Sequence, residues 1–211
     1  MLRARSASAR RLSTVLLTVA VVGAGVAGCT SGDGGHQPTA TSTPLAQVDT
    51  RAASVTRGAF CDRLPVAGIE HALGAAVTDH SSYASGDRAS IADGVKDVAH
   101  EFSCTFTAED GTTARAWVFA PPVTRDRGRD LVALATQGAG CSDLAQAPTF
   151  GRPGVATRCV VDGVTTVTFA GLFADAWLSC SLAVPAGQSA ADLPDRAGTW
   201  CVTVLAATAP A

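Results

Sequence analysis

Two hydrophobic rhythms run along the chain from residue 60 onward, one with a period near 3.6 residues and one with a period of two. In FCDRLPVAGIEHALG (60–74), Val66, Ile69 and Leu73 fall on one helical face. Pro65 stands near the first turn, where its missing N–H does no harm, and Gly74 is a natural stop. The rhythm changes in EFSCTFTAEDGTTARAWVFAPP (101–122), where Phe102, Cys104 and Phe106 alternate with polar residues. Asp110-Gly111 supplies a turn, Ala114 to Ala120 return as a second strand, and Pro121-Pro122 end it. TRDRGRDLVALATQGAG (124–140) predicts a second helix with Leu131, Leu134 and Ala135 inward. ATRCVVDGVTTVTFAGL (156–172) predicts another hairpin, turning at Asp162-Gly163. AWLSCSLAVP (176–185) predicts a strand with Leu178, Cys180, Leu182 and Val184 on one face. SAADLPDRAGTWCVTVLAA (189–207) closes the chain as a helix, capped from Ser189 or Asp192, with Pro194 in its first turn and Ala197, Trp200, Cys201, Val204 and Leu205 as its apolar stripe.

The predicted order is α-ββ-α-βββ-α. An antiparallel sheet built from hairpins, with helices laid on one face, belongs to the α+β class. Between the first helix and the first hairpin, residues 75–100 read as a long polar connection centred on SSYASGD (81–87), and connections of that length are commonly functional or mobile. The two hairpins echo each other: Cys104 precedes Asp-Gly-Thr-Thr and Cys159 precedes Asp-Gly-Val-Thr-Thr. A decayed duplication and chance both account for so short a match.

Upstream of residue 60 both rhythms fail. Arg3, Arg5, Arg10 and Arg11 form a basic start without an acidic residue, Leu12 to Val22 form an apolar run, and Gly23 to Gly28 are small. That is the three-part plan of a secretory signal, and the run is short for a membrane span, which needs about 20 residues. Val26-Ala27-Gly28-Cys29 resembles the lipobox of bacterial lipoproteins, whose motif ends in a small residue followed by the cysteine that takes the lipid. The resemblance implies cleavage before Cys29 and lipid attachment to it, which places the protein at the cell membrane on its extracytoplasmic face. Gly23, Gly25 and Gly28 also satisfy G-x-G-x-x-G, but without the strand, helix and downstream acid that give the dinucleotide fingerprint its meaning. Residues 30–57 are rich in Ser, Thr, Gly and Pro and read as a flexible tether. The expected organisation is therefore a signal at 1–28, a tether at 29–57 and one domain at 58–211.

Composition narrows the function classes. The chain has no asparagine and one lysine, Lys96, as expected of a GC-rich genome. Formal charge is −2, but the signal holds four of the sixteen basic residues and no acids, so the rest carries twelve against eighteen, a net −6. No Lys/Arg cluster lies outside the signal, which argues against a nucleic-acid partner. Apart from Cys29, the cysteines are Cys61, Cys104, Cys141, Cys159, Cys180 and Cys201, an even set that in an exported domain predicts three disulfides. Six cysteines allow fifteen connectivities and sequence does not choose among them. Nearest-neighbour pairing, in a chain that alternates helices and hairpins, gives Cys61–Cys104, Cys141–Cys159 and Cys180–Cys201, each tying a helix or loop to a strand. Metal binding is the rival use of these residues, but no C-x-x-C or H-E-x-x-H occurs, and His36, His71, His80 and His100 do not cluster at ligand spacing. No metal and no cofactor is expected.

The lipobox, the tether, and Cys61-Asp-Arg-Leu64 leading to Ile69-Glu-His-Ala-Leu73-Gly74 resemble the start of actinobacterial lipoproteins of the DUF3558 type. Those domains open with a Cys-x-x-Leu helix closed by Leu-Gly and then present a strand cysteine, as Cys104 does here. The chain departs from the type in carrying Phe106 where a Trp is usual, and in its six domain cysteines. In architecture it is also similar to the disulfide-bonded sensor domain of mycobacterial PknH-type kinases. Neither resemblance implies a catalytic motif. No G-x-S-x-G is present, Glu109-Asp110 lies in a turn, and the histidines are isolated, so no catalytic residue is singled out. A ligand surface is the better prospect: Tyr83 from the long connection, Trp117 and Phe119 on one strand, and Trp177 at the start of another. The expectation is a lipid-anchored, non-catalytic binding or sensor module for a protein or small-molecule ligand. The alternative is an envelope hydrolase whose site is assembled from distant segments.

Overall fold

A computed structural model describes residues 43–92 and 95–210 of the chain. The signal at 1–28, Cys29 and the first part of the tether lie outside the described residues. The elements are a 3-10 turn at Leu45–Gln47, a second at Cys61–Arg63, α1 (Val66–Leu73), β1 (Val77–Tyr83), β2 (Arg88–Ala92), β3 (Val95–Val98), β4 (Glu101–Ala108) and β5 (Thr113–Phe119). They continue with α2 (Arg125–Ala135), β6 (Cys141–Asp143), β7 (Gly154–Val161), β8 (Val164–Phe173), β9 (Ala176–Val184) and α3 (Leu193–Thr208). Seven strands form one antiparallel sheet in the order β1-β4-β5-β9-β8-β7-β6, and β2 and β3 pair separately. The fold is α+β, with the predicted helices and hairpins in the predicted order.

Turn chemistry explains both main hairpins. At the β7–β8 turn, Asp162 and Gly163 both have positive φ (49° and 79°), the conformation that a two-residue turn with the right twist demands and that Asp-Gly supplies. The β4–β5 loop is one residue longer. The Gly111 amide donates to Ala108 O, the Ala108 amide donates to Thr112 O, and Gly111 takes φ +83°, so glycine is needed there too.

The pleat divides the sheet into two faces. Cys104, Phe106, Ala114, Ala116, Val118, Val167, Phe169, Leu178, Cys180, Leu182 and Val184 share one, and on it α1 and α3 are buried with Trp200 at the centre. α2 departs from the expectation that helices share a face. Its Leu131 and Val132 pack with Val123, Ala170, Leu172 and Trp177, which stand on the opposite face near β7 and β8. The reason is a second apolar patch: Ala170, Leu172 and Trp177 alternate out of phase with the core and require a cover of their own.

Two segments differ from their reading as loops. Residues 75–100 are not one long connection. They form the edge strand β1, paired with β4 from Val77↔Ala108 to Tyr83↔Ser103, and then the β2–β3 hairpin. Residues 43–57 pack on the domain rather than trailing from it. Leu45 is 4% exposed against Gly198 of α3, the Thr50 hydroxyl donates to Thr149 O at 3.0 Å, and the Thr56 amide donates to Thr208 O at 2.8 Å. A few apolar groups (Leu45, Val48, Ala53, Val55) hold this stretch to the core although its composition is polar.

All three disulfides are formed in the nearest-neighbour pairing. Cys61–Cys104 ties the turn before α1 to β4, and Cys180–Cys201 ties β9 to α3 inside the core. Cys141–Cys159 instead joins two strands, since Cys141 lies on β6 directly opposite Cys159 on β7. The echo between the hairpins is not structural: Cys104 points into the main core, whereas Cys159, three residues before its turn rather than six, stands on the other face.

Candidate functional site: the open face of the sheet

The register assembles the second face row by row. One row runs Ser81–Thr105–Arg115–Ser181–Thr168–Thr157–Asp143 across all seven strands. The next runs Tyr83–Ser103–Trp117–Ser179–Ala170–Val155. Beyond it, Glu101 lies opposite Phe119. α2 covers the β7–β8 end, which leaves a hydroxyl-rich floor over β4, β5 and β9 with an apolar step at its margin.

Four side chains organise this floor. The Tyr83 hydroxyl donates to the Glu101 carboxylate, and Arg115 Nη2 donates to Tyr83 Oη at 3.0 Å and to Glu101 Oε1 at 3.2 Å. Arg115 Nε reaches Ser103 Oγ at 3.5 Å, while Nη1 has no protein partner among the described residues. The guanidinium is thus neutralised by its neighbour yet keeps donors to spare. Burial, and then the hydrogen bond to Glu101, raises the pKa of Tyr83, because both favour the protonated phenol. Beside this cluster the rings of Trp117 and Phe119 meet at a tilt of 48° with their centres 4.9 Å apart, both half-buried.

Of the expected ligand surface, Tyr83, Trp117 and Phe119 are brought to one face. Trp177 is not available: it is 2% exposed, sealed among Val123, Leu172 and the residues of α2. A Trp at the start of a strand that lies under a helix is packing, and its sequence context does not distinguish the two. Glu101, Ser103 and Ser179 were not singled out by sequence. The only signal for them is their period-two phase with Trp117, which becomes visible once the strand register is known.

The histidines stand apart from this face. His71 and His100 are exposed, and His80 lines a groove of about 320 Å³ with Asp62, Ser81, Ser82, Leu64 and Ile69, its ring 6.4 Å from that of Phe106. Among the described residues none of the three imidazole rings makes a hydrogen bond or ion pair. A larger cavity, of about 610 Å³, lies between Leu45, the 144–148 loop and the start of α3. No protein-family model and no curated protein matches the chain.

Proposed function

We propose that this is an exported, lipid-anchored envelope protein whose domain binds a ligand beyond the membrane. One observation carries the reading: the six domain cysteines are all paired with one another, so the seventh, Cys29, is the odd one, and it stands where an apolar run ends in Val-Ala-Gly. Paired cysteines in this number are a mark of an oxidising compartment, and a small residue before a lone cysteine is the junction at which a lipoprotein signal is cut. Among the described residues no helix is long and apolar enough to cross a membrane.

Binding rather than catalysis is supported by the polar cluster. Tyr83, Glu101 and Arg115 hydrogen-bond with one another and lie beside the half-buried rings of Trp117 and Phe119, whereas among the described residues no histidine side chain meets a carboxylate or hydroxyl as a general base would need. Fractionation tests the anchoring: the wild-type chain sediments with membranes and Cys29→Ser appears in the medium. Equal partition of the two overturns it.

A further inference from the structure

We propose that the open face binds an uncharged saccharide chain, laid across β4, β5 and β9 with one ring on Trp117. This rests on the binding reading above and names its ligand class.

Chemistry on the face selects the ligand. Its centre holds Ser103, Thr105, Ser179 and Ser181, short hydroxyl groups that both donate and accept. The one central cation, Arg115, is paired with Glu101 at 3.2 Å, and Asp79 and Asp143 stand only on the edge strands, so the floor offers no net charge to an ionic ligand. A hydroxyl floor is equally poor at holding an apolar helix or acyl chain. A sugar ring fits both halves of the site: its C–H face packs on an aromatic ring, here Trp117 braced by Phe119, and its hydroxyls exchange hydrogen bonds with planar and hydroxylic side chains.

A second observation points the same way. Ser179 is 3% exposed and its hydroxyl makes no hydrogen bond among the described residues, although it lies beside Trp117 in the register. Every fully enclosed side-chain polar atom that the structure describes has a partner, so this hydroxyl keeps a slight contact with solvent. A hydroxyl with so little access to solvent is poorly hydrated, and a ligand hydroxyl seated against Trp117 would give it a full hydrogen bond. Neighbouring strands lie about 4.8 Å apart, so the Thr105–Arg115–Ser181 row is roughly 10 Å long. That length accepts a short oligosaccharide rather than a single ring.

The test is an array of neutral and charged glycans probed with the full chain in detergent, followed by calorimetry on the neutral oligosaccharide that binds best. Trp117→Ala should weaken that binding by about tenfold or more, Ser179→Val should weaken it as well, and Trp117→Phe should retain most of it. All three are checked for an unchanged melting temperature, so that unfolding is not mistaken for a lost contact. Binding of charged glycans only, binding indifferent to Trp117→Ala, or no binding to the array overturns the saccharide proposal. The wider binding reading is judged separately, by whether Trp117→Ala changes what the wild-type protein captures from envelope extract. A change with no saccharide involved leaves that reading standing, and no change removes both. A peptide strand or a second copy captured on this face is such a case, and it too overturns the saccharide.

Discussion

The indole Nε1–H of Trp200, at the centre of α3, donates to the backbone carbonyl of Arg115 at 3.1 Å. The bond passes from the core helix to the strand whose other face carries Arg115 and Trp117. Trp200 is wholly buried and meets Phe106 edge to face at 6.2 Å, so the helix, the sheet and the site-bearing strand are held at one point. The polar cluster above β5 thereby sits on a rigid element, which a preorganised binding face requires.

Replacing Trp200 with Phe removes the donor while keeping an aromatic ring. The expected loss of stability is about 1 to 3 kcal/mol, from the missing hydrogen bond and the space left by the smaller ring. Urea unfolding checks it, and an unchanged midpoint would show that the bond contributes nothing.

Leu45 anchors the 43–57 segment to α3. At 4% exposure against α3, Leu45→Ala should destabilise the domain by about 2 to 5 kcal/mol, toward the lower end because the site is peripheral. A tether would tolerate the change without any shift in melting temperature.

Much of the fold was legible because its periods are clean. β4, β5 and β9 carry an apolar residue at every second position on the core face, Asp110-Gly111 and Asp162-Gly163 specify their turns, and Pro194 and the stripe through Trp200 announce α3. β1 was missed for a physical reason. VTDHSSY is an edge strand with five consecutive exposed residues, so neither face imposes an apolar period, and it is a strand only because β4 offers it backbone partners. The packed stretch 43–57 was hidden by composition, since a handful of small apolar groups anchors it. At the site, Trp117 and Phe119 were visible as an aromatic pair in phase, but Glu101 and Ser179 come from other strands and depend on a register that sequence does not print.

Tyr83 is the only tyrosine, so its titration can be followed directly by ultraviolet absorbance. Its pKa lies above the ordinary value of 10.0. Because the folded state holds the phenolic proton more tightly, this contribution to stability is complete below about pH 10 and is lost as pH rises through the folded value. Glu101→Gln should bring the midpoint down toward that of free tyrosine without exposing the ring. A wild-type midpoint at or below the unfolded value would contradict the cluster.

The Cys180–Cys201 bridge closes 21 residues between β9 and α3, and Cys61–Cys104 closes 43. Replacing either pair with alanine should cost about 2 to 4 kcal/mol, the longer loop somewhat more if unfolded-chain entropy dominates. Denaturant titration of the two double variants checks the order. Thiol labelling of the unfolded, unreduced domain should find no free cysteine among the six, and a labelled pair would show that its bridge is not formed.

Intact-mass and peptide analysis of the mature N-terminus, on protein extracted from membranes of the native host, reaches the central claim most directly. The account predicts a chain beginning at Cys29 and carrying a diacylglyceryl group on its sulfur, with further acylation of the amine where the host performs it. A mature chain that begins elsewhere, or an unmodified Cys29, would contradict it.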